Sequence, residues 1–223
     1  MEALYESLSK GGVVMVPIVL CSVTALAIFL ERLWALQRNR VLPSGLIALV
    51  SRSVREGRPA EAETLCSASS ATAARVLQAG IRRRGRPRSI VKEAMEETGR
   101  REISFLQRYV GGLGTIAAVT PLLGLLGTVA GMIRVFKQVV DEVGARGQVN
   151  PGSLANGIWE ALVTTAAGLS VAIPAYVAYR YLESRIDGLA IDLEERALDL
   201  LDDLEGDAEA EGAAAGARDG AAA

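Results

Sequence analysis

The stretch from Ile158 to Tyr179, IWEALVTTAAGLSVAIPAYVAY, constrains this chain more than any other. It meets the length of about 20 mostly apolar residues that a helix needs to cross a bilayer. It nevertheless keeps one carboxylate, Glu160, followed by Thr164 and Thr165. A carboxylate in hydrocarbon costs roughly 2–4 kcal/mol on insertion scales. A span that keeps one faces a partner helix or a wet path, so Glu160 is the best single pointer to function.

Two further runs pass the same length test. With their flanks, the three spans cover residues 11–31, 110–136 and 157–180. The first is closed by Glu31 and Arg32. Its leading flank carries Glu2 and Glu6 against Lys10, and no small-residue cleavage site precedes the charges, so it reads as a retained span rather than a signal peptide. Half of the 223 residues are hydrophobic, with only three Phe and two Trp, the aliphatic profile of membrane helices. The absence of histidine removes the usual general base, zinc ligand and triad partner. Cys21 lies in an apolar run and Cys66 in a polar one; they do not read as a disulfide, and no metal-ligand spacing exists. The expected fold is an all-α integral membrane protein with long cytoplasmic helical extensions. No catalytic residue, metal or cofactor is expected.

Orientation follows from the basic residues. Segment 32–109 holds most of them, including Arg38, Arg40, Arg52, Arg55, Arg58, Arg100, Arg101 and the cluster Arg82, Arg83, Arg84, Arg86 and Arg88. The link 137–156 has only Lys137 and Arg146. The positive-inside rule then places 32–109 in the cytoplasm, the short N-terminus 1–10 outside and the C-terminus inside. The cluster reads as a topology signal touching anionic lipids. A nucleic-acid reading is set aside, because no stacking aromatics interleave with the arginines.

Between the first two spans the chain reads as mostly helical, with breaks near Pro43, Pro59 and Gly85–Pro87. From Arg88 a helix is expected to run directly into the second span, with Gly99 and Gly111–Gly112 as points of bending. The external link 137–156 has Gly, Asn and Pro at turn positions and is expected to be a loop, with Ser153 or Asn156 capping the third span. In 181–205, Leu182, Ile186, Leu189, Leu193, Ala197, Leu200 and Leu204 recur in steps of three and four, one face of an amphipathic helix. Self-association and packing on the chain's own helices both remain open for that face. Residues 206–223 contain little besides Gly, Ala and charge and are expected to be disordered.

The second span contains TPLLGLLGTVAGM, in which Gly124, Thr128 and Gly131 share a face with Gly127 beside it. Small residues on one face let helices approach closely. Pro121 is expected to kink this helix, and Pro174 to break the lower part of the third. The two spans run in opposite directions. Thr128 lies eight residues below Phe136 and Thr165 eight below Gly157, each about 12 Å in at 1.5 Å per residue. Glu160 shares a face with Thr164, and Thr165 and Gly168 continue along it. One reading is an interfacial Glu160, with both threonines bonded to their own helix. The sharper one is a polar path for a small cation, with Glu160 at its entrance and the hydroxyls of Thr128, Thr164 and Thr165 below.

At these residues the chain resembles the MotA/TolQ/ExbB proton-channel family, on its ExbB/TolQ side. TPLLGLLGTVAGM and WEALVTTAAGLSVAIPAYVAY look like its paired signature spans. The resemblance covers about Val110 to Arg185 closely, and the three-span layout more loosely. It implies a pentameric ring in the bacterial inner membrane around the helices of a single-span ExbD/TolR-type partner. That partner supplies a transmembrane aspartate, and a TonB/TolA-type protein is a further partner. Thr128, Glu160 and Thr165 fall on the family's threonine, glutamate and threonine, and Thr164 is an extra hydroxyl. Three spans without a large cytoplasmic insertion argue against the flagellar branch.

The leading function is therefore a proton-channel subunit that couples proton flow to mechanical work through its partner, in TonB-dependent transport or a Tol-Pal-like process. The alternative is a non-conducting scaffold that stabilises a partner. An intramembrane enzyme would need a nucleophile with a base, or paired aspartates at depth, and neither is present in the sequence.

Overall fold

The computed structural model describes residues 13–146 and 151–220. Among these the secondary structure is helical throughout: α1 (Met15–Ala35), α2 (Arg38–Val41), α3 (Ser44–Arg55), α4 (Pro59–Ser67), α5 (Thr72–Ile81), α6 (Arg88–Gln107), α7 (Val110–Arg146) and α8 (Pro151–Gly220). The expected N-terminal segment 1–10 lies outside the described residues, as do 147–150 and 221–223. The chain divides into two compact units. One holds residues 13–32 and Tyr109–Leu182; the other holds Leu33–Arg108 and residues 183–220.

In the first unit the usual arrangement of large apolar residues inside is reversed. The buried stripe of α7 runs through Val110, Leu113, Ala117, Thr120, Gly124, Gly127, Gly131 and Val135, in steps of three and four. The matching stripe of α8 is Ala161, Thr164, Gly168, Ala172, Ala175 and Leu182. Most of these side chains are small. The large ones point outward: Val16, Leu20, Val23 and Leu26 on α1, Leu122, Leu125, Leu126 and Ile133 on α7, Leu162, Ile173 and Val177 on α8. Such surfaces are stable against lipid, where packing of small residues rather than hydrophobic burial draws helices together. α1, α7 and α8 each have a stretch long and apolar enough to span a membrane. At the end of α1 the Arg32 guanidinium pairs with Glu31 and lies 4.8 Å over the Tyr109 ring.

The second unit has an ordinary core. Val50, Val54, Ala62, Ala73, Ala74, Val76, Leu77 and Ile81 are almost fully buried, together with Ile186, Leu189, Leu193, Leu200 and Leu201 of α8. The apolar face expected over 181–205 is thus covered within one chain, with Ala197 partly open. Its acidic flank is held by the basic segment: Arg38 reaches Asp192 at 2.9 Å, Arg55 reaches Asp203 at 2.7 Å, and Arg88 meets Asp202 and Glu205. Arg75 makes a forked pair with both carboxylate oxygens of the buried Glu102, at 2.8 and 3.0 Å, and so ties α5 to α6. The turn after α3 is a Schellman motif: Gly57 has φ +67°, Arg58 N–H donates to Ser53 and Gly57 N–H to Val54. Pro59 then opens α4 at a position where a missing N–H costs nothing.

Several local expectations need correction. The link 137–156 is helical through Arg146 and again from Pro151, and residues 147–150 lie outside the described residues. Pro151 stands at the first helical position, which puts Ser153 and Asn156 inside α8 rather than at its cap. Gly157, within α8, stands where a side chain would collide with Val135. Pro174 does not break α8, because a proline removes one backbone donor and a membrane helix tolerates that loss. α6 does not run into α7; the helices are interrupted at Arg108–Tyr109 rather than at a glycine. In place of the expected disorder, α8 extends through the tail as far as Gly220, in keeping with the alanine and glutamate there.

Candidate functional site

α7 and α8 meet as an antiparallel pair whose glycines set the separation. A Cβ on Gly124 would lie 3.1 Å from the Thr165 Cα and 3.4 Å from the Gly168 Cα. One on Gly131 would lie 2.9 Å from the Ala161 Cβ, and one on Gly127 would run into the Thr164 methyl. Gly168 answers Gly124 from the other side, beside the Thr120 carbonyl. Gly124, Gly127, Gly131 and Gly168 therefore bring the two backbones together within the chain. Both prolines sit inside continuous helices. Thr120, just before Pro121, donates to the Ile116 carbonyl at 2.6 Å.

The polar groups are distributed around this contact. Thr164 is buried in it and donates to the Glu160 carbonyl of its own helix at 2.9 Å. Thr165 reaches across and donates to the Gly124 carbonyl at 2.9 Å, a hydrogen bond that joins the two helices. Thr128 is half-buried and donates back to Leu125 at 2.7 Å. Since Gly127 faces Thr164, their chain neighbours Thr128 and Thr165 lie at about the same level, with hydroxyls turned to different acceptors.

The carboxylate of Glu160 is paired. Nη1 of Arg134, on α7, lies 2.6 Å from its Oε1, and the side chains are 54% and 25% exposed. Sequence reasoning missed Arg134, although a signal was present. It is the single charged residue among positions 110–136 and falls three residues after Gly131, on the face that meets α8. The site thus combines a paired carboxylate at one end of a close helix contact with hydroxyls farther along it.

A profile of the MotA/TolQ/ExbB proton channel family matches residues 68–195, which include the α7–α8 pair. The biopolymer transport protein ExbB-like 1 of Synechocystis sp. is 38% identical over 187 residues, 81% of this chain and 71% of that protein. The Tol-Pal system protein TolQ of Haemophilus influenzae is 40% identical over 109 residues, 48% of this chain and 46% of its own length. The biopolymer transport protein ExbB of Neisseria gonorrhoeae is 43% identical over 88 residues, 40% of this chain and 38% of that one. Three apolar helices with an inverted packing pattern, a matched profile and these relatives agree: the chain is a multi-pass membrane protein that belongs to the MotA/TolQ/ExbB proton channel family, on its ExbB/TolQ branch.

Proposed function

We propose that this chain is the ring-forming, proton-conducting subunit of an energy-transducing complex of the inner membrane. It works with a single-span ExbD/TolR-type partner. The observation that carries this reading is the α7–α8 contact, in which Glu160 lies at one end and the Thr165 hydroxyl is anchored to Gly124 across the pair. Residues 110–179 contain no carboxylate other than Glu160 and those of segment 137–156. Transfer across mid-membrane then needs an acid from elsewhere, which the partner's transmembrane aspartate supplies in this reading. A pentamer encloses the partner helices, with the N-terminus outside, the C-terminus cytoplasmic and the basic segment near anionic headgroups. Glu160, Thr164, Thr165 and Thr128 line the path. Each charge that crosses at 100 mV yields about 2.3 kcal/mol, so mechanical work draws on several protons. The process served is TonB-dependent transport or a Tol-Pal-like one.

A non-conducting scaffold is favoured by one observation: the hydroxyls of Thr128, Thr164 and Thr165 all donate to backbone carbonyls, as packing alone would have them. The two readings separate on substitution. Under conduction, Glu160→Gln and Thr165→Val abolish energised function at unchanged protein level. Under the scaffold both are tolerated, and only Gly131→Leu, which pushes α7 off Ala161, is destructive. Loss of function in the two polar variants eliminates the scaffold; full function in both eliminates the proton path.

A further inference from the structure

Each of the two packed spans contains a single charged side chain, Arg134 among residues 110–136 and Glu160 among residues 151–179. The structure pairs them at 2.6 Å. Their meeting is built into the backbone contact. On one side Gly131 lets α7 close on Ala161; on the other, Gly157 leaves room for the Val135 side chain. Two close approaches, one before the pair and one after it, fix the separation and register of the helices at this level. The guanidinium and carboxylate are therefore presented to one another, at the rim of the contact and partly open to the surroundings.

A bare carboxylate at the mouth of a polar path attracts any small cation, sodium and potassium as well as protons. Arginine cannot give up its charge. Paired with it, Glu160 has no net charge to offer, and a metal ion must displace a charge-assisted hydrogen bond in order to bind. The guanidinium charge acts on a proton and a metal ion alike, so the difference lies in coordination: a proton needs one carboxylate lone pair, whereas a metal cation needs several oxygen ligands in the space that the guanidinium fills. The geometry points to Arg134 as the specificity-determining residue of this entrance, restricting the path to protons by filling the space at Glu160 that the oxygen ligands of a metal cation would need. The inference rests on the proton-path reading of Glu160 given above and adds to it a choice of ion and a residue that makes the choice.

The test uses the full chain, co-purified with the single-span protein it carries and reconstituted into liposomes. Proton uptake is followed with an entrapped pH dye and sodium uptake with a radioactive tracer, at equal driving force. The ratio of sodium to proton uptake is expected to rise about tenfold in Arg134→Gln, the factor that ~1.4 kcal/mol of difference between the two ions corresponds to. It is expected to stay at the wild-type value in Arg134→Lys, which keeps a cationic donor on the carboxylate. An unchanged ratio in Arg134→Gln overturns the assignment. So does an Arg134→Gln complex that assembles like wild type yet carries neither ion. Should that variant fail to accumulate, Arg134→Ser decides in the same way: a raised ratio supports the assignment and an unchanged one overturns it. A wild-type complex that carries neither ion overturns the path itself, and the assignment with it.

Discussion

A single methyl group added at Gly168 is expected to force α7 and α8 apart. The new Cβ would stand 2.9 Å from the Thr120 carbonyl oxygen, 3.0 Å from the Gly124 Cα and 3.2 Å from the Gly124 amide nitrogen. All three are backbone atoms, so no side chain can turn out of the way. An ordinary carbon contact of about 3.5–4.0 Å is regained only if the helices separate by a sizeable fraction of an ångström. Overpacking of this kind costs about 1–3 kcal/mol. The same displacement stretches the hydrogen bond from Thr165 to Gly124, now 2.9 Å. Such bonds between membrane helices average about 0.6 kcal/mol and reach ~1.7. Alanine's better helix propensity returns about 1 kcal/mol. The net expectation is a loss of about 1–3 kcal/mol.

The assay is reversible unfolding of the purified chain by sodium dodecyl sulfate, followed through the fluorescence of Trp34 and Trp159. The control lies on the same helix. A Cβ at Gly188 has nothing within 4 Å, so Gly188→Ala retains only the propensity gain and is expected to be neutral or stabilising by up to about 1 kcal/mol. Wild-type stability in Gly168→Ala refutes the close-approach argument. An equal loss in Gly188→Ala refutes it too, because the effect would then belong to glycine in a helix and not to the contact.

Gly157→Ala is expected to destabilise through the Val135 side chain alone, since its Cβ would meet Cγ2 of Val135 while the Cβ of that valine is 3.6 Å away. Val135→Ala removes the obstacle, and a double-mutant cycle in the same unfolding assay should show a favourable coupling of about 1 kcal/mol or more. Cys66 is buried against the core of its unit, and desolvation, with a smaller contribution from Glu63, pushes its thiol from the ordinary 9.0 to about 11. Between those values the unfolded chain has released a proton that the folded one keeps, so the stability from this group is complete below about pH 9 and falls as the pH rises towards 11. Iodoacetamide at pH 8 should accordingly leave Cys66 unmodified in the native protein and alkylate it after denaturation, as read by peptide mass spectrometry.

Much of this architecture is written in residue spacing. The apolar steps from Leu182 to Leu204 mark a buried face because a helix returns to the same side every three or four residues, and the residues on those steps are buried with Ala197 as the partial exception. What covers the face is not in the periodicity. A second copy and the chain's own helices satisfy it equally, and the partner is revealed only by the placement of Arg38, Arg55 and Arg88 on the acidic residues of α8. Glycine carries two different signals. In water-exposed chain it signals a turn, whereas at Gly157 it signals close approach of two helices, and composition alone does not separate these uses.

The ion pair shows what a depth argument needs in order to become a contact. Counting from Phe136 and Gly157 sets Thr128 level with Thr165, and the facing of Gly127 and Thr164 agrees with that register. The same count sets Arg134 two residues in and Glu160 three, within about 2 Å of one another along the membrane normal. Level alone does not make a pair; the side chains must also lie on facing sides. That second coordinate is carried by the glycines, since Arg134 follows Gly131 by three residues and Gly127 by seven and so shares the face that closes on α8. Two antiparallel spans with one charge each, opposite in sign, equal in depth and both on the small-residue face have little alternative to pairing, because either charge left alone in hydrocarbon is costly. Glycine stripes therefore do more than mark where membrane helices touch. They give the azimuth from which the partners of the few charged residues can be read.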